Sequence, residues 1–176
     1  FQRALSQNPN YRDALVGLAE AYYRVEEYPR ALRFAESARS LSQNNVNLKN
    51  LEGRIHLARG NLEAARTLYE EVLREEPNNL EARLGVSQLA LAEGNRTEAA
   101  RELERLLRRA PENRRALLSL TLIYRSRGNH AAAERYLREA LRFHSENPRV
   151  QLLAGEYRYA RSDLEQLSGW GMETER

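Results

Sequence analysis

Residues 94–111 read GNRTEAARELERLLRRAP, and the same pattern returns at a fixed interval on both sides of it. Gly60-Asn61, Gly94-Asn95 and Gly128-Asn129 are spaced by 34 residues. Ala31, Ala65, Ala99 and Ala133 keep that spacing, and Pro9, Pro77 and Pro111 lie on the same lattice. Two further lines run through Ala4, Ala38, Val72, Leu106 and Ala140, and through Leu5, Arg39, Leu73, Leu107 and Leu141. Several lines in one register, at a period between 20 and 50 residues, mark a repeat architecture.

Each period contains two blocks of apolar residues at helical spacing. In the stretch 80–113 these are Leu84 and Leu91, then Ala99, Leu103, Leu106 and Leu107. Gly-Asn separates the blocks, and glycine just past a helix closes its C-terminus in the left-handed conformation. A proline after the second block stops that helix. Each period is therefore expected to be helix, tight turn, helix, turn. The alanine line falls where two antiparallel helices cross, and a small side chain lets the backbones approach to about 8–10 Å.

These positions closely resemble the tetratricopeptide repeat, from residue 1 to about 160. Its small eighth position holds Ala19, Gly53, Ser87 and Thr121, and its often aromatic eleventh holds Tyr22, His56, Ala90 and Tyr124. The resemblance implies an all-α, right-handed superhelical solenoid of helix hairpins. The boundaries expected are repeats at 12–45, 46–79, 80–113 and 114–147. Residues 1–11 read as the second helix of a truncated repeat, which places the start of the chain inside a longer array. Residues 148–167 read as a partial repeat or capping helix, and 168–176 as a loop or tail. Pro148 lies three residues beyond the lattice site at Ser145, which suggests a small insertion before this last segment.

Composition narrows the function classes. There is no cysteine, which excludes disulfides and thiolate metal sites. No apolar run is long enough to span a membrane. Of 28 basic residues only Lys49 is lysine, but the arginines are interleaved with 25 acidic residues, as in Arg101-Glu102-Leu103-Glu104-Arg105. Interleaving gives a solvated, salt-bridged face rather than a basic footprint for nucleic acid. The arginine excess suggests a GC-rich bacterial source. The compartment stays open between bacterial periplasm and cytoplasm, with the periplasm slightly favoured.

No catalytic or metal site is expected, and no cofactor. There is no Gly-x-Ser-x-Gly elbow, phosphate loop or His-Glu-x-x-His motif, and three scattered histidines give no zinc spacing. Glu52 stands where the repeat usually has leucine. It lies four residues before His56, so the two share a helix face and can satisfy each other in the packing. Glu26 replaces the turn glycine of the first repeat; glutamate takes positive φ reluctantly, so a different turn is expected there.

The resemblance implies a non-catalytic scaffold that binds another protein or peptide segment along the first helices. The groove positions it implies give Tyr23, Asn50, Arg54, Leu57, Leu84, Gln88, Leu91, Leu118, Leu122 and Arg125 as the partner-binding set. Asp13, Val16, Glu20, Arg24, Asn47, Ala58, Glu81, Ala92, Arg115 and Ser126 occupy the further groove positions. Leu57, Leu84, Leu91, Leu118 and Leu122 would form an exposed apolar strip, the kind of surface that marks an interaction site. No window supplies the Lys-Asn-Arg clamp with which some members hold a partner's C-terminal carboxylate. The expected setting is bacterial envelope assembly, secretion or polysaccharide export. A structural spacer, self-association through the truncated ends, or an accessory domain of a fused enzyme are the alternatives.

Overall fold

The computed structural model describes residues 11–42 and 45–171, with side chains of the last helix described to Tyr159. Among the described residues there are nine helices and no strand. They are α1 (Arg12–Arg24), α2 (Tyr28–Ser40), α3 (Val46–Ala58), α4 (Leu62–Glu75), α5 (Leu80–Ala92), α6 (Arg96–Leu107), α7 (Arg114–Ser126), α8 (His130–His144) and α9 (Pro148–Gly171). The chain divides into two compact units, Phe1–Glu102 and Leu103–Arg176. The expected truncated helix at 1–11 lies outside the described residues, apart from Tyr11.

Asparagines fix where the first helices of the repeats start. The side chains of Asn45, Asn79 and Asn113 accept hydrogen bonds from Leu48, Ala82 and Ala116 N–H at 3.2, 2.9 and 3.0 Å. Each satisfies a backbone donor that the helix itself leaves unpaired. Asn147 is the next residue on that line, and its Oδ1 accepts from Arg149 N–H at 3.1 Å. α9 therefore starts in register, 34 residues after α7. No insertion precedes it; Pro148 simply occupies the first helical position, where its missing N–H costs nothing.

The turns inside the hairpins are alike. Gly60, Gly94 and Gly128 have φ of +77°, +79° and +71°. The following N–H groups of Asn61, Asn95 and Asn129 reach back to His56, Ala90 and Tyr124 carbonyls at 2.9, 2.7 and 3.0 Å, a Schellman closure. The first repeat was expected to differ, and it does not. Glu26 takes φ of +62°, and Glu27 N–H bonds Tyr22 O at 2.9 Å. The hairpin demands the left-handed residue, and glutamate complies at a cost.

Tyr69 of α4 is the central side chain of the first unit. It is fully buried, with Ala65, Val72, Ala82 and Leu89 in its cluster. Its ring runs so close to Gly53 of α3 that a Cβ there would lie 2.8 Å from Cε1, and a Cβ on Gly85 of α5 would come closer still. Two glycines thus let an aromatic ring pass between neighbouring hairpins. In the second unit Tyr124 of α7 and Tyr136 of α8 stack at 5.7 Å. Both donate to Glu104 Oε1, at 2.7 and 3.0 Å. The bond to Glu104, with burial, pushes the Tyr124 hydroxyl up to about 12.

The chain end differs from the expectation. α9 stays helical through Gly171, so residues 168–171 are not loop. The lattice site of the turn glycine holds Ser162. With no residue favouring a left-handed turn, helix formation propagates. Residues 172–176 lie outside the described residues.

Candidate functional site

In the first unit the inner sides of α1, α3 and α5 enclose a cleft of about 500 Å³. Val16 and Leu51 supply apolar wall; Glu20, Asn47, Arg54 and Glu81 supply polar groups. The helical repeat places these side chains together because groove positions two, five and nine recur on each first helix.

Arg54 is held in place from two sides. Its guanidinium lies 4.7 Å from the centroid of the Tyr23 ring, a cation–π distance. One terminal nitrogen is 3.7 Å from Glu81. Glu20 is exposed on the same wall and makes no ion pair among the described residues. The cleft can therefore offer a fixed guanidinium, an unspent carboxylate and apolar wall to one ligand.

Two residues expected in the groove are not offered there. Leu84 is only 3% exposed and belongs to the core. Asn50 is 4% exposed, and its amide donates to Asn79 Oδ1 at 3.1 Å. That bond ties α3 to the cap of α5, so Asn50 works inside the packing. Leu57, Gln88 and Leu91 are half-buried, with Leu57 against the Tyr69 cluster. The apolar strip is thus interrupted at Leu84.

Glu52 and His56 do not pair either. Glu52 is buried and its Oε1 sits 3.1 Å from Arg39 Nε of α2. Burial holds its carboxyl above the usual range, and Arg39 opposes this. His56 Nδ1 lies 3.5 Å from the Asn61 amide, and burial, aided by Arg59, lowers its affinity for a proton. The i,i+4 spacing is compatible with contact, but each side chain has its partner elsewhere. Lys49, the single lysine, is also buried. Its ammonium reaches Glu75 at 2.6 Å and Glu71 at 3.4 Å on α4.

In the second unit Leu118, Leu122 and Arg125 lie on α7. Leu118 is half-buried against Leu137, Leu153 and Ala154, whereas Leu122 is 44% exposed. Arg125 is 3.4 Å from Glu156 of α9. Leu152 and Tyr159 of α9, 65% and 72% exposed, escaped the sequence reading. The signal was present: they stand 34 residues after Leu118 and Arg125.

Among the described residues no cluster of histidine and carboxylate groups is suited to a metal ion. Among the described residues no helix is long and apolar enough to cross a membrane.

The tetratricopeptide repeat family model matches residues 1–55 and 56–123, and a second tetratricopeptide repeat model matches 114–146. The chain belongs to the tetratricopeptide repeat (TPR) family. No curated protein sequence matches it. Solved TPR structures share its fold. TTC0263, a thermophilic TPR protein of Thermus thermophilus, superposes with a TM-score of 0.76 at 19% identity, over 88% of this chain and 84% of that one. YrrB, a TPR protein described as having an unusual peptide-binding site, gives 0.63 at 20% identity, over 88% and 79%. The Cut9–Hcn1 hetero-tetramer gives 0.77 at 15% identity, over 91% of this chain and 32% of that one. The fold class is all-α helical repeat, and TPR arrays are typically non-catalytic scaffolds for protein interaction.

Proposed function

We propose that this TPR protein is a non-catalytic interaction scaffold whose first unit holds an extended or helical segment of a partner protein in the cleft between α1, α3 and α5. The observation that carries this reading is the cleft itself. Its wall places a pinned Arg54 and an unspent Glu20 beside apolar surface, and such mixed concave surfaces suit peptide side chains. The neighbours lend support: YrrB is described with a peptide-binding site and Cut9 is seen with Hcn1. Interleaved acidic and basic residues favour a protein over nucleic acid as the partner. The composition favours a bacterial source, for which we propose envelope assembly, secretion or polysaccharide export as the setting.

The test is a photo-crosslinking residue placed at Glu20, with a second version placed at exposed Ser37 on α2. Lysate of the source organism is then irradiated with each. A protein joined from position 20, and lost when Arg54→Glu and Asn47→Arg are added to a chain that keeps its helical circular dichroism, supports the cleft. Equal yields from positions 20 and 37 would end this reading.

A further inference from the structure

Charged side chains line the cleft of the first unit, Arg12 and Arg54 against Asp13, Glu20 and Glu81. Most of them cancel in pairs. Arg12 lies 3.2 Å from Asp13, and Arg54 lies 3.7 Å from Glu81. Glu20 is left over, exposed and without an ion pair among the described residues. The cleft is therefore negative within a chain whose net charge is +3, so its sign is local rather than a product of composition.

The repeat lattice shows why Glu20 has no partner. Arg54 and Glu81 occupy the ninth position of one repeat and the second position of the next. One repeat earlier the same two positions hold Glu20 and Asn47, and both line the cleft. The sign at the ninth position is reversed there, and the second position supplies no counter-charge. Arg24, one turn beyond Glu20 on α1, is exposed and does not pair with it among the described residues. One turn in the other direction stands Val16, half-buried and on the same helix face. Leu51 of α3 adds apolar wall to that side of the cleft.

We infer that the cleft recognises a basic side chain, lysine or arginine, on the partner segment; this rests on the reading of the cleft as the partner-binding site. The aliphatic stem of that side chain covers Val16 and Leu51, and its charged head pairs with Glu20. The Asn47 amide oxygen is a second acceptor for the head. Long cationic side chains suit such a place, because they bury the stem on apolar surface and keep the head in water. A carboxylate on the ligand would meet Glu20 with like charge, which selects against acidic segments. Arg54 does not invert this preference, because Glu81 already offsets its charge.

Random peptides displayed on phage are selected in parallel on the full chain and on Glu20→Arg, Asn47→Arg and Arg54→Glu variants that keep their helical circular dichroism. The wild-type pool should be rich in lysine and arginine beside apolar residues. The Glu20→Arg pool should lose that bias and gain aspartate and glutamate. Asn47→Arg, which gives Glu20 a cation from its own chain, should lose the bias too. The most enriched wild-type peptide, made synthetically and labelled, should bind Glu20→Gln about two- to fivefold more weakly in dilute buffer, the range for an exposed ion pair. The loss should fade in high salt. Norleucine in place of its basic residue should cost as much on the wild-type chain and nothing on Glu20→Gln, a coupling that a purely structural Glu20 would not show. A wild-type pool without basic bias, or a bias that survives Glu20→Arg, overturns the inference; if those peptides are still lost in Arg54→Glu, the cleft reading stands without it. Peptides that bind every variant equally, or no enriched peptide at all, remove both. Should the chain self-associate without peptide and Glu20→Arg dissociate it, the occupant is a second copy and the partner-segment assignment falls.

Discussion

Glu26 shows what a hairpin asks of a single residue. A left-handed backbone costs a side-chain-bearing residue roughly 1–2 kcal/mol, and glycine escapes most of it. Glu26 occupies that conformation where three other repeats have glycine. Glu26→Gly should therefore stabilise the protein by about 1 kcal/mol, read as a higher urea midpoint with unchanged slope. Glu52 carries a different kind of strain, a buried carboxylate that Arg39 only partly offsets. Its folded-state affinity for a proton is raised, so the unfolded chain releases that proton first. Its contribution is best below the unfolded value and is lost as pH rises through the folded one. The Arg39 side chain is 43% exposed, so removing Glu52 relieves a buried charge without leaving an unpaired one buried. Glu52→Leu should raise the urea midpoint at pH 7, and the gain should shrink towards pH 4 as the wild-type carboxyl becomes neutral. A gain that is the same at both pH values would show that ionisation of Glu52 is not its source.

At the scale of elements, the tightest fit is the Tyr69 ring between α3 and α5. Gly85→Ala would drive a methyl group into that ring. Overpacking of this kind costs about 1–3 kcal/mol, although alanine is the better helix former. Adding Tyr69→Leu should recover part of the loss, and a double-mutant cycle measures how much. A fully additive pair would show that the ring is not the obstacle. The 34-residue lattice made the helices, the three glycine turns and the crossing alanines legible, because they depend on local chemistry: left-handed glycines and small residues. Exposure within the groove was not legible in the same way. The fifth position of successive first helices holds Val16, Asn50, Leu84, Leu118 and Leu152, yet these range from core to strongly exposed. Periodicity places a side chain on a face, but the neighbouring hairpins decide whether that face is covered. Leu84→Ala should accordingly cost about 2–5 kcal/mol, whereas Leu122→Ala should stay within about 0.5 kcal/mol. Thermal unfolding of the two variants separates them.

At the scale of the whole molecule, a repeat array is stabilised by each hairpin and by the interfaces between neighbours. Its polar groups follow the same local rule. Lys49 is matched by α4, Arg39 by Glu52 of α3, and the Tyr124–Tyr136 pair by Glu104. Such bonds link a helix to its neighbours in the array, so damage in one repeat should remain near that repeat. Hydrogen exchange resolves this, since protection reports the free energy of each local opening. Gly85→Ala should speed exchange in α3, α4 and α5, whose packing shares the Tyr69 ring, while α7 and α8 keep their wild-type rates. Uniform acceleration across all helices would mean that the protein opens only as a whole. Local opening would instead let the Tyr69 packing loosen while the Tyr124–Tyr136 pair stays closed, each with its own opening free energy.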